Sequence, residues 1–180
     1  MVKDIKRRVA EKYLRHIIRS NKQQRRITSF RSVKTIGILY DATLEDTVKE
    51  IKKAAQKLKA LNKEIYTLGF INKKALPSNR VPHTKEDFYC RKDLHWYDLP
   101  VKERIGRFAN EEFDYLLNVY TNDHLPLVGV SAMSKAHCRL GTFHRKYVGC
   151  YDFMLSEKNS KSALELLDAY LLYLYKLTHD

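Results

Sequence analysis

The sequence predicts an α/β fold: a three-layer sandwich with a mostly parallel, Rossmann-like or flavodoxin-like sheet, preceded by a basic amphipathic N-terminal helix. Three observations carry that reading. Short β-prone apolar runs alternate with helix-periodic segments from Thr35 onward. The first two runs are apolar on both faces, as strands covered by helices on both sides must be. Positive charge is concentrated ahead of them: residues 1–34 hold 12 of the 34 Lys and Arg but only Asp4 and Glu11 of the 21 acidic residues. That leader carries +10 of the net +13, so residues 35–180, read as a single α/β domain, are close to electrical balance.

In the leader, Ile5, Val9, Ala10, Tyr13, Leu14, Ile17 and Ile18 recur at three- and four-residue spacing, which places one apolar stripe on a helix from about Lys3 to Arg19. The polar, basic connector NKQQRRITSFRSVK follows. TIGILYDA is the first strand of the domain. Thr43 and Asp46 then fit a T-x-x-D capping box, and Leu44, Val48, Ile51, Ala55, Leu58 and Leu61 mark the buried stripe of a helix. KEIYTLGFI (63–71) completes a β-α-β unit with parallel strands. Pro77, Pro82 and Pro100 bound a less regular stretch, with a strand at Asp87 to Arg91 and the loop KDLHWYDLP.

VKERIGRFA reads as a helix, and FDYLLNVY (113–120) as a strand beside TIGILYDA at the sheet centre. HLPLVGVSAMSKAH is a helix ending near His137, CRLG a short strand, and YVGCYDFML (147–155) the last strand. The closing helix, from about Lys161 to Leu177, is apolar over most of its circumference. One sheet face cannot cover it, so its far side is expected to pack on the N-terminal helix or to form a homodimer seam.

No apolar run reaches the roughly 18–20 residues that cross a bilayer, and Met1 to Ala10 lacks an apolar signal-peptide core. A cytoplasmic protein without a transmembrane segment is expected. Cys90, Cys138 and Cys150, without C-x-x-C spacing, fit reduced thiols better than a disulfide framework or a zinc site. The charge run of the leader admits three readings: a solvated helix face, a membrane-surface helix, or a phosphate-binding arm. The stripe lacks Trp and Phe, which weakens the membrane reading. Clustered Arg and Lys release counterions from a nucleic acid, so the arm is preferred, with Lys3, Lys6, Arg7, Arg8, Lys12, Arg15, Arg19, Lys22, Arg25, Arg26 and Arg31 as contacts and RNA or the ribosome as partner. No helix-turn-helix, zinc finger, RNP sequence or GXXG loop accompanies it.

Ligands of open α/β sheets sit beyond the carboxyl ends of the strands where the strand order reverses. Here that crevice would hold Asp41, Thr43, Thr121, Asn122 and Asp123. The turn DATLED has no glycine to admit a phosphate and carries Asp41, Glu45 and Asp46, which argues against a nucleotide cofactor. Asp41, Asp123 and Asp152 are weighed as ligands for a hard cation, but Asp at a strand end is more often a cap or turn former, and no metal is assigned. His83, His95, His137 and His144 do not form a zinc motif with the cysteines; a Cys-His pair assembled in space stays open. His95, Trp96 and Tyr97, beside Arg91 and Lys92, suit either base stacking or, preferentially, a Trp96 plug at the core edge. Lys135, Arg139, Arg145 and Lys146 form a second basic group.

Taken in order, TIGILYDAT, KKALPS, CRKDLHWYDLP, FDYLLNV and SAMSKAHCRLG resemble a family of small α/β proteins of unknown function found in Bacteroidetes bacteria, over about Thr35 to Leu155. The resemblance implies the fold and carries no activity or site residues. More distantly, FDYLLNV followed by a helix, Ala136 and CRLG is similar to part of the amino-terminal Rossmann-like half of heptosyltransferase-type glycosyltransferases. This chain lacks their nucleotide-sugar-binding second domain, so the likeness speaks to fold rather than to glycosyl transfer. The expected function is that of a non-enzymatic RNA-binding or ribosome-associated protein, with a ligand-binding or catalytic crevice as the alternative and a membrane-surface or protein-interaction module as a further one.

Overall fold

In a computed structural model of the protein, which describes residues 2–120, 124–156 and 162–177, six strands align in one all-parallel sheet. After helix α1 (Val2–Ser20) come β1 (Thr35–Asp41), α2 (Glu45–Ala60), β2 (Glu64–Ile71), β3 (Glu86–Cys90), α3 (Lys102–Ala109), β4 (Tyr115–Val119), α4 (Leu125–Met133), β5 (Cys138–Thr142), β6 (Phe153–Leu155) and α5 (Ala163–Leu177). The spatial order is β3-β2-β1-β4-β5-β6, the Rossmann order, with β1 paired to both β2 and β4. The two strands expected at the centre are therefore neighbours, and the strand order reverses between them.

Burial follows from alternation along the strands. Ile36, Ile38 and Tyr40 of β1 point to a layer made by α2 and α5, while Leu39 points to a layer made by α1, α3 and α4. In α2, Val48, Ile51, Ala54, Ala55 and Leu58 are buried, whereas Leu44 and Leu61 are exposed. Both lie just outside the helix, as its caps, beyond the reach of the sheet. The expected capping box does not form either. Leu44 is the N-cap, and the Thr43 hydroxyl instead accepts the Asn72 amide at 3.0 Å, tying the first turn to the end of β2.

Helix α1 belongs to the same core. Ala10 and Leu14 are buried and Val9, Ile17 and Ile18 half-buried against α4 and the 3₁₀ turn Arg145–Cys150, but Ile5 and Tyr13 from the predicted stripe are exposed. Gly149 permits the close approach, since a Cβ there would stand 2.9 Å from Ile18 Cγ2. Among the described residues the expected packing of the last helix on α1 is not made. The sheet separates them, α5 packing on α2 and β4, and Leu172, Tyr173 and Leu177 of α5 are left exposed.

The connector is bound to the domain at several points. Asn21 Nδ2 donates to the carbonyls of Ala132 (2.8 Å) and Ser134 (2.9 Å), covering orphan acceptors at the end of α4. Ser134 is extended and its hydroxyl accepts the Ala136 amide, so α4 stops at Met133 instead of reaching His137. Lys63 donates to the carbonyls of Phe30, Arg31 and Val33 at 2.8, 3.1 and 2.7 Å, and the Asp114 carboxylate accepts the amides of Lys34 and Thr35. The expected strand 147–155 is instead the 3₁₀ turn followed by three residues of β6, because Tyr147 and Cys150 are drawn into the core below α1.

Candidate functional site

The predicted arm residues separate into three groups. Arg8, Lys12, Arg15 and Arg19 are spaced i, i+4, i+7, i+11 and therefore share one face of α1, opposite the buried Ala10 and Leu14. All four are exposed, and among the described residues no ion pair joins them to a carboxylate. They form a cationic ridge about 16 Å long at 1.5 Å per residue. Glu11 borders this face, three residues after Arg8 and four before Arg15, but is paired with Arg7 (3.4 Å) and Lys146 (3.8 Å). Lys22, Arg26 and Arg31 are exposed along the connector, and Lys22 borders a hollow of about 390 Å³ with Lys102 and Lys135.

Lys3 and Arg7 point the other way, to the carboxyl edge of the sheet, and Lys6 is half-buried. With Asn72, Arg91, Asp98 and the amino end of α4 they line a cavity of about 460 Å³.

Arg25 is not an outward contact. Its guanidinium donates to the Ala136 and Ser134 carbonyls and stands 3.7 Å from Asp152. Burial and the neighbouring Arg139 lower its pKa, with Asp152 opposing them. Arg139, from the second basic group, is likewise removed from the surface: it is 5% exposed and grips Asp152 through Nε and Nη2, each at 2.9 Å. Asp152 precedes β6 whereas Asp41 ends β1, so the two lie at opposite edges of the parallel sheet and cannot share a cation.

Of the crevice residues, Asp41 and Thr43 stand at the switch point between β1 and β4; Thr121, Asn122 and Asp123 lie outside the described residues. Asp41 Oδ1 accepts the Thr43 amide at 2.9 Å, and Oδ2 is 3.3 Å from His124 Nε2, a partner that sequence spacing did not single out. Asp46, Glu50, Tyr120 and Ala163 complete a hollow of about 250 Å³ whose lining is acidic. The Tyr120 phenol, pushed well above its ordinary pKa by burial, is bonded to the Tyr151 hydroxyl at 2.7 Å and stays neutral. Among the described residues no group of three His, Cys, Asp or Glu side chains is arranged to hold a metal.

Cys90, Cys138 and Cys150 are all buried, and burial pushes the Cys138 and Cys150 thiols up to about 12 and raises Cys90 as well, which favours the neutral thiol.

Around the loop between β3 and α3 the expected plug is exchanged. Tyr97, not Trp96, is buried; Trp96 is 60% exposed and meets the Tyr97 ring edge-on at 5.5 Å. Tyr97 stacks on Tyr13 of α1 (centroids 4.9 Å) and on His95 (5.0 Å). Reading Tyr13 as part of the buried stripe hid this cluster: helical spacing puts it between Val9 and Ile17, both half-buried, so spacing alone does not set it apart.

Among the described residues no helix is long and apolar enough to cross a membrane. Residues 6–176 match the model of a family of unknown function, DUF6913. No curated protein and no solved structure matches the chain.

Proposed function

We propose that this chain, which belongs to the DUF6913 family of unknown function, is a non-enzymatic RNA-binding or ribosome-associated protein of the cytosol that holds phosphates along α1. The observation that carries the reading is the ridge of Arg8, Lys12, Arg15 and Arg19, unpaired with carboxylates on the outer face of a helix whose inner face is fixed in the core. Polyanion binding by such a ridge is driven by counterion release and weakens steeply with salt. The buried thiols suit a reducing compartment.

The test is the salt dependence of oligouridylate binding followed by anisotropy. Neutralising the ridge with Arg8→Gln, Lys12→Gln, Arg15→Gln and Arg19→Gln should make the log-log slope shallower by about 2.8, at roughly 0.7 per phosphate contact on a single strand. An unchanged slope removes the ridge from the interface. Point variants serve better than deletion of residues 1–34, which would strip Ala10, Leu14 and Val33 from the core.

A second reading, a small-ligand binder or enzyme at the carboxyl edge, is favoured by the cavity beside Asp41 more than by Asp41 itself. Lys3 and Arg91 converge there on the amino end of α4, a combination that suits an anion. Pyrophosphate is then expected to raise the melting temperature, and Arg91→Ala to cancel the rise. Absence of any rise in the unaltered protein rejects this reading.

A further inference from the structure

We infer that the ring cluster beside α1 is a stacking platform for unpaired bases, which makes the partner of the arm a single-stranded RNA or an unpaired loop and not a duplex. This rests on the phosphate-binding reading of α1 and adds to it the part of the ligand that a charge ridge cannot recognise.

The platform is built from two segments distant in sequence. Tyr97 is buried and stacks with both Tyr13 (interplanar angle 18°) and His95 (7°). Tyr13 is 50% exposed and His95 is exposed, so each can offer surface to a further ring. Trp96, the only tryptophan of the chain, stands edge-on to the same stack and is more exposed than either core packing or chance placement of so large an apolar ring favours.

The loop is held in place. The amide of His95 donates to the Leu99 carbonyl (2.8 Å), that of Asp98 to the His95 carbonyl (2.9 Å), and Leu94 and Pro100 close it by an antiparallel bridge. Asp98 sits at φ 65°, a left-handed turn conformation that Asp tolerates. Rings presented by a closed loop lose little freedom when a base lands on them.

Charge selects a nucleic acid over an apolar peptide. Arg91 and Lys92 are exposed at the start of the loop, and Tyr13 stands about 100° around α1 from Lys12, between the ridge and the core-facing side of the helix. Aromatic faces alternating with a cationic track are what single-strand binders use, because every base has a π face and every nucleotide a phosphate. In a duplex those faces are already stacked.

The experiment uses the full chain, a dodecameric oligouridylate, and an abasic phosphodiester of the same length and charge, with emission from Trp96 as a local reporter. Oligouridylate is expected to change Trp96 emission and to bind at least about fivefold more tightly than the abasic strand. Trp96→Ala is expected to erase that preference while leaving the abasic affinity and the salt slope unchanged, and Trp96→Phe to restore most of it. Equal affinity for the two strands with a persisting salt slope would overturn the platform and leave the ridge standing, as would a Trp96→Ala variant that keeps the preference. Failure of both strands to bind at low salt would overturn the ridge and the platform together.

Discussion

Combining Arg8→Glu, Lys12→Glu, Arg15→Glu and Arg19→Glu is expected to abolish binding to single-stranded RNA at about 0.1 M salt while the fold persists. Four lost phosphate contacts at about 0.7 each in the log-log slope correspond, at that salt, to roughly a 600-fold loss of affinity from neutralisation alone. Reversal adds repulsion, so the measurable outcome is no saturation. The cost to the fold is small because the ridge faces solvent. The i, i+4 pairs Arg8 with Lys12 and Arg15 with Arg19 already repel, and pairs of glutamates would repel to a similar extent. The exception is Arg19→Glu, which puts a negative charge in the last turn of α1 against the helix dipole at a cost of about 0.3–1 kcal/mol. Anisotropy titration and a thermal melt of the same variant check both halves: full binding with a cooperative melt excludes the ridge as the phosphate contact.

Asp152→Ala is expected to destabilise the protein by about 3–5 kcal/mol, with no comparable change for carboxylates on the rim. Asp152 accepts the Arg139 amide at 2.8 Å as well as two guanidinium nitrogens, and its other neighbour is Arg25. Removing it leaves Arg139 buried without its counter-charge and Arg25 facing a like charge. Set against a total stability of about 5–15 kcal/mol, the loss lowers the melting temperature by roughly 6–20 °C for a chain of this size. Pairing Asp152→Ala with Arg139→Met, which removes the stranded charge, is expected to recover much of the loss. A single-variant loss below about 1 kcal/mol in chemical denaturation would mean that water reaches the pair.

Strand identity, parallel topology and the central β1–β4 pairing were legible because they follow from alternation and from runs apolar on both faces, which are local properties of the chain. What escaped local reading was decided by tertiary partners. The helix expected to reach His137 stops four residues earlier, where Ser134 turns extended and Asn21, more than a hundred residues away, caps the carbonyls left at that end. Arg25 and Arg139 look like Arg8 and Lys12 in sequence, yet a carboxylate at Asp152 draws them inward. Trp96 and Tyr97 differ by one position, and which of them is buried depends on Tyr13 arriving from α1. The outward direction of Arg8, Lys12, Arg15 and Arg19 was readable, because spacing alone sets it on a helix, whereas the contacts of His124 and of the ring stack were not, because their direction depends on the turn.

The anchoring of α1 by Ala10 and Leu14, and of the connector by Lys63, has a thermodynamic corollary. Cationic tails that are unstructured until they meet their target lose chain entropy on association and register a large heat-capacity change as they fold. Here that ordering is already complete in the free chain, so on the proposed reading the protein side contributes a preformed surface and only the nucleic-acid strand has chain entropy left to lose.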